Sequence, residues 1–346
     1  MADLPIHPPS FTSYAPQSES PLFTTLPAEL RTEIFTYALS PYEDPQARYQ
    51  KHTYWTRPGS SAPLTTCTAL LRTCKAIYAE TWFLPFALSE HTFYLTARDR
   101  APEDSTSNAG SRRRSRTDPA AFQRSLDLIK KIHGDVIETG TIRVFAQLYI
   151  LEPGDRLQQL LDTRYFTPRR IQLTLRYTDF WLWENNQRLY VDARWVNRVR
   201  FPDSVACFVV DFESLERRSG EVDILVRQAV DGWFFRRKDG RVLAARKDDV
   251  VVSRWTGSSV FGNRRWIRDE ARPGQLDYYV ATVAWRLAPE GVEVPQGECP
   301  KIQVSEEYRQ PPPPNPGWRS FMQSELEEAG VTMDMAADQV VERACI

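Results

Sequence analysis

Asp211 and Glu213 stand two residues apart in "VVDFE", a spacing that puts both carboxylates on one face of a strand. Such a pair can divide proton donation and acceptance between its members. No nucleophile accompanies it. The chain has no G-x-S-x-G, no glycine-rich phosphate loop and no dinucleotide fingerprint. Metal chemistry fails on spacing. His7, His52, His91 and His133 are isolated, Cys67 and Cys74 are seven apart on an apolar helix face, and no CxxC or HxxxH occurs to enclose zinc. His133 lies on an apolar stripe and reads as a partnered core histidine. Phe180, Trp181 and Trp183 in "DFWLWE" suit either a stacking platform or core filling, and filling is the commoner use. "SRRRSR" offers Ser115 to a basophilic kinase, or serves as an import signal or phosphate patch. Asp99, Glu103, Asp104 and Asp118 cancel part of its field. No enzyme, metal or cofactor is expected from these residues.

Composition narrows the class further. The 346 residues are long enough for about two average domains or one large one with insertions. With 44 basic and 45 acidic side chains, no global field draws the chain to nucleic acid or anionic lipid. Five scattered Cys argue against a disulfide framework and for a reducing compartment, cytosol or nucleus. The first residues lack the basic start and apolar run of a secretory signal, and no stretch reaches the ~18 apolar residues of a membrane span.

The elements that hold these residues follow from hydrophobic period. Residues 1–21 are Pro- and Ser-rich and read as a flexible leader. "LPAELRTEIFTYAL", residues 26–39, predicts a helix with Pro27 in its first turn and Glu29 at the positive end of its dipole. A polar loop dotted with aromatics runs to Ala62. "LLRTCKAIYAETWFLPF" repeats Leu70, Cys74, Ile77, Thr81 and Leu84 at helical spacing, with Pro85 ending or kinking the helix. "HTFYLTA" is a short strand. Residues 98–120 hold almost nothing to bury and read as a disordered insertion. Phe122, Leu126, Ile129, His133 and Val136 then make one helical stripe.

Strands are expected in "TIRVFAQLYI", "RRIQLTLRYTDF", "DSVACFVVDFE" and "DYYVATVAWRL", which are rich in β-branched and aromatic residues. "EVDILVRQAV" is a helix with Val222, Leu225, Val226 and Ala229 on its inner face. "RKDGRVL" is a hairpin with Asp-Gly in a two-residue turn. Four successive prolines make "RQPPPPNPGW" extended. A last helix at 318–329 precedes a loose tail, 331–346. Strand spacing is too irregular for a leucine-rich array.

The helix at 26–39 has one apolar stripe too many. Leu26, Leu30, Ile34 and Tyr37 share one face; Ala28, Phe35 and Leu39 lie nearly opposite, with polar residues between. Burying each large side chain gains roughly 1.5–3 kcal/mol, so either the chain's own core or a partner should cover the second stripe.

"LPAELRTEIFTYAL" followed by "LLRTCKAIYAETW" resembles the opening of an F-box, and most of all the F-box-like proteins of filamentous fungi. "YTDFWLWE" and "VVDFESLERR" resemble later segments of that group. The first block covers about 70 of the 346 residues. The resemblance implies helices that dock onto the Skp-type linker subunit of a cullin-RING ubiquitin ligase, and a C-terminal region that captures a protein target. It places Leu26, Pro27, Leu30 and Ile34 in the linker-binding segment, with Tyr37 on the same stripe. Cys74, Ile77 and Tyr78 become its packing or contact partners. One departure stands out: "SPYEDPQARYQKHTYWTRPGSSAP" separates the two blocks by more than an ordinary F-box allows.

The expected fold is α+β: an F-box-like helical segment at 22–97, a disordered insertion at 98–120, and a mixed sheet with a few helices at 121–330 as the target-binding region. The expected function is a non-enzymatic adaptor. The alternatives are a scaffold with no ligase link and an enzyme of unrecognised type.

Overall fold

Nine strands make one mixed sheet in the computed structural model, which describes residues 14–102, 119–134, 136–289 and 297–344. The strands are β1 (His91–Leu95), β2 (Ile142–Ala146), β3 (Arg170–Leu175), β4 (Arg200–Phe201), β5 (Cys207–Leu215), β6 (Phe234–Arg237), β7 (Val242–Ala244), β8 (Val250–Ser258) and β9 (Gln275–Leu287). Their order is β1-β2-β3-β5-β9-β7-β6-β4, with β8 also on β9. β1, β2, β3 and β5 run parallel; β5, β7 and β8 each meet β9 antiparallel. The principal helices are α1 (Ala28–Leu39), α2 (Lys75–Thr81), α3 (Leu84–Leu88), α4 (Pro119–His133), α5 (Asp155–Leu161), α6 (Ser219–Gly232), α7 (Gln323–Glu328) and α8 (Ala337–Ala344).

The fold is α+β, as the alternation of apolar runs implies. Alternate residues of the sheet, among them Val144, Leu173, Val210, Phe212 and Val283, face a core shared with α4, α5 and α6. Burying that face supplies most of the stability that orders the chain. In α6, Val222, Leu225, Val226 and Ala229 all point into it. The other face of β5 is buried too, and that follows from the insertion between the two N-terminal helical blocks. Tyr42–Glu43 pairs with Leu64–Thr65, so residues 44–63 leave and return through one two-stranded stem. The flap lies over the sheet and brings Arg57 to Glu213.

Several expectations need correcting. The second helical block is not continuous. Leu70–Arg72 is a 3-10 turn, Cys74 is extended (φ −153°, ψ 163°), and its Sγ accepts the Ile77 N–H at 3.5 Å to cap α2. Pro85 sits in the first turn of α3, where a missing donor costs nothing. "LYI" after β2 is a helical turn, Leu148–Leu151. The hairpin after β6 has a three-residue turn, since Arg237 and Arg241 still pair, and only Gly240 takes positive φ (+86°).

β8 was not anticipated at all. The last helix spans only Gln323–Glu328, after the short strand Phe321–Met322. The tail is not loose: α8 buries Val340 against Ile267 and Leu326. The insertion is shorter than 98–120, because Arg98–Arg100 is a 3-10 turn and α4 starts at Pro119. Residues 103–118, with Ser115, lie outside the described residues, as do 1–13 of the leader. The leader's last residue, Pro21, opens a helical turn, Pro21–Thr24, whose Leu22 and Phe23 pack beside α1. Among the described residues no helix is long and apolar enough to cross a membrane.

Candidate functional site

α1 has two environments. Phe35 and Leu39 are buried against Ile77 and Leu84, with Leu22, Phe23, Leu70 and Leu71 around them. This small cluster ties α1, α2 and α3 into a helical head. Arg31 fixes the angle between α1 and α2 with two bonds to the Glu80 carboxylate, at 3.1 and 3.0 Å, and a third to Leu26 O at 2.9 Å. On the opposite side, Leu30 is 47 % exposed, Ile34 45 % and Tyr37 76 %. They stand at i, i+4 and i+7, so they form one continuous apolar stripe on the outside of the head.

The residues placed in the linker-binding set therefore separate. Leu30, Ile34 and Tyr37, with Pro27 at the N-cap, are accessible; Leu26 is half-buried. Ile77 is enclosed by the head's own cluster, so it is a packing residue and not a contact. Cys74 spends its sulfur on the α2 cap. Tyr78 is half-buried and lies 6.3 Å from the His133 ring. His133 itself is not enclosed in the core; its ring stacks on Trp82 at 3.5 Å and joins the head to α4.

The acids of β5 share a face, as their spacing predicts, but each is fully engaged. Asp211 accepts from Gln172, Thr174 and Thr282, each at 2.7 Å. Glu213 is held by Arg57 of the flap and by the Trp255 indole N–H at 3.0 Å. Burial pushes the Glu213 carboxyl above its ordinary range, and the Arg57 guanidinium pulls it back. Beside them Arg176 forks onto Asp179 at 2.7 and 3.0 Å and donates to Tyr54 O at 3.0 Å. Burial also raises Glu90, which Arg143 opposes from 3.3 Å.

The cavity between flap and sheet, bordered by Tyr54, Arg57, Arg176 and Glu213, has a volume of about 30 Å³, which is water-sized. The arrangement locks the flap to the sheet and engages both acids in bonds within the chain. Among the described residues no three His, Cys, Asp or Glu side chains cluster to hold a metal. The aromatic run is core filling in two of its three members: Phe180 and Trp183 are buried, and Trp181 donates to Glu152 at 2.9 Å.

A cleft of about 630 Å³ opens where head, flap, α4 and β1 meet, with Trp82, Phe86, Tyr94 and Phe122 in its walls. His91 lies there. Burial lowers its pKa to about 4, against which a contact to Phe86 O works weakly, so the ring is neutral at pH 7. The cleft has no signature along the chain, because its walls come from four separated segments.

Comparison with family models, curated proteins and solved structures yields no match.

Proposed function

We propose that the chain is an F-box-like adaptor. The outer stripe of α1 engages a Skp-type linker subunit of a cullin-RING ubiquitin ligase, and the sheet body captures a protein target. The observation that supports this reading is the uncovered run Leu30, Ile34, Tyr37 on a helix whose opposite face already completes the head's core. Three large apolar side chains one above another on a helix are a partner-docking pattern. The flap is compatible with it, since its two-stranded stem returns the chain to the second block and its tip covers the sheet, away from the stripe. A reducing compartment, cytosol or nucleus, goes with this role.

The test is co-purification with a Skp-type linker from co-expression. The wild-type chain should retain it, and the Leu30→Asp/Ile34→Asp variant should lose it with an unchanged circular dichroism spectrum. Failure of the folded wild-type chain to bind any linker would sink the proposal.

One observation favours a second reading, a scaffold with no ligase link. Ile77 and Cys74 turn inward, so the second helical block contributes little beyond Tyr78 to a shared contact surface. Partners that co-purify through the α1 stripe in the absence of any linker would select this reading.

A further inference from the structure

The outer edge of the sheet divides unevenly. At one end β4 is two residues long. At the other, none of the five residues of β1 is fully exposed, because the cleft walls flank it. β8 differs from both: nine residues long, bonded among the described residues to β9 on one side only, with four consecutive exposed residues, 251–254. Val251 is 64 % exposed and Val252 43 %. It carries none of the Lys, Pro or bulge devices that blunt an edge. Its one cation, Arg254, is turned onto Glu216 at 3.0 Å and over the Tyr279 ring at 5.1 Å.

We propose that β8 is a dimerisation edge, on which a second copy of this chain adds its own β8 antiparallel and continues the sheet. This inference is independent of the linker reading. Which backbone groups are available follows from the ladder. Ser259 N–H donates to Gly274 O at 3.0 Å, one step beyond the Ser258–Gln275 pair. Bonding alternates along an antiparallel pair, so Val251, Ser253, Trp255 and Gly257 spend their N–H and C=O on β9. Those of Val250, Val252, Arg254 and Thr256 point outward.

The strand is complementary to itself about Ser253. In that register Ser253 faces Ser253 of the second copy, Val251 faces Trp255, Val252 faces Arg254, and Val250 faces Thr256. Each copy thus puts Val251 beside an indole on one face, and lays Val252 along the Arg254 stem on the other. Four outward pairs exchange about eight backbone bonds. Centring on Arg254 instead would set two guanidinium groups opposite one another, which is repulsive. Centring on Val252 shortens the overlap.

A single strand pair buries less than the roughly 800 Å² per partner of a standard interface, so the dimer is weak and reversible. Sedimentation velocity of the full chain from about 1 μM to about 1 mM, a window set for a weak dimer, should show it. Val252→Pro removes only an outward donor and leaves the β9 ladder whole, so it should be monomeric with an unchanged Tm. Val251→Lys should also be monomeric, and serves if the proline variant misfolds.

Register is tested by cross-linking in a Cys67→Ser/Cys345→Ser background. Ser253→Cys places two thiols on facing Cα atoms about 4.5 Å apart, within disulfide reach, and diamide should convert it to a covalent dimer. Thr256→Cys, which faces Val250, should not cross-link. A wild-type chain monomeric throughout the range, a dimer that survives both substitutions with the fold intact, or equal cross-linking of the two cysteine variants would overturn the proposal.

Discussion

The helical head and the sheet body are built on opposite terms. In the body several buried charged groups have specific partners: Asp211 has three donors, Glu213 has Arg57 and Trp255, and Arg265 forks onto Glu270 at 2.8 and 2.9 Å. Arg218, wholly buried, is paired with Glu221 at 2.9 Å. The head has a small apolar cluster, one clamp between Arg31 and Glu80, and a greasy stripe left over. Buried ion pairs contribute little net stability when intact, yet they forbid any other arrangement because a lone buried charge is so costly. The body is therefore specified from within. The head leaves the Leu30, Ile34, Tyr37 stripe of α1 uncovered.

The largest effect should come from breaking the body's rule. Arg57→Ala leaves Glu213 buried and uncompensated, so denaturant unfolding should show a loss of about 3–5 kcal/mol. Adding Glu213→Gln, which keeps an acceptor for Trp255, should recover most of it; no recovery would mean that the flap holds by packing alone.

The seam between the two regions carries the next effect. His91 has a folded pKa of about 4 against an ordinary 6.5, so the unfolded chain takes up a proton first as pH falls. Stability should therefore drop between pH 6.5 and 4, by about 3 kcal/mol in all. His91→Gln should flatten that slope in unfolding titrations across the range.

Smaller effects belong to the head. Arg31→Ala should cost about 1 kcal/mol or less, since Glu80 is partly exposed, and should loosen α1 against α2 in amide exchange before it lowers Tm. Leu30→Asp/Ile34→Asp should change stability within about 0.5 kcal/mol and act only on binding. A large loss of stability there would show that the stripe is internal and would erase the contrast between head and body.

The sequence was most informative where one rule acted alone. β5 and β9 were legible from their β-branched and aromatic content and α6 from its helical period, because one shared core buries residues of all three. The α1 stripes were legible for the same reason: the helical period separates Phe35 and Leu39 from Leu30 and Ile34 without any knowledge of the fold. The break at Cys74 was hidden, since Leu70, Cys74, Ile77 and Leu84 converge on one cluster whether or not the helix is continuous. β8 has the β-branched content of a strand in "VVVSRWTGS", but it is exposed along much of its length, so no alternation of buried and exposed residues marks it. The flap's role could not be read at all. Arg57 and Glu213 are 156 positions apart, and only the folded sheet brings them together.

The stem at Tyr42–Glu43 and Leu64–Thr65 means that the points where the flap departs and rejoins are already neighbours. Cutting out residues 44–63 and closing the gap with a few glycines would leave the course of the helices on either side unchanged, at little entropic cost for so short a bridge. What it would alter is the distant β5, stripped of its cover and left with a carboxylate that has lost its cation. The splice is local and the damage remote, so length changes at this point should be tolerated by the helices and vetoed by the sheet.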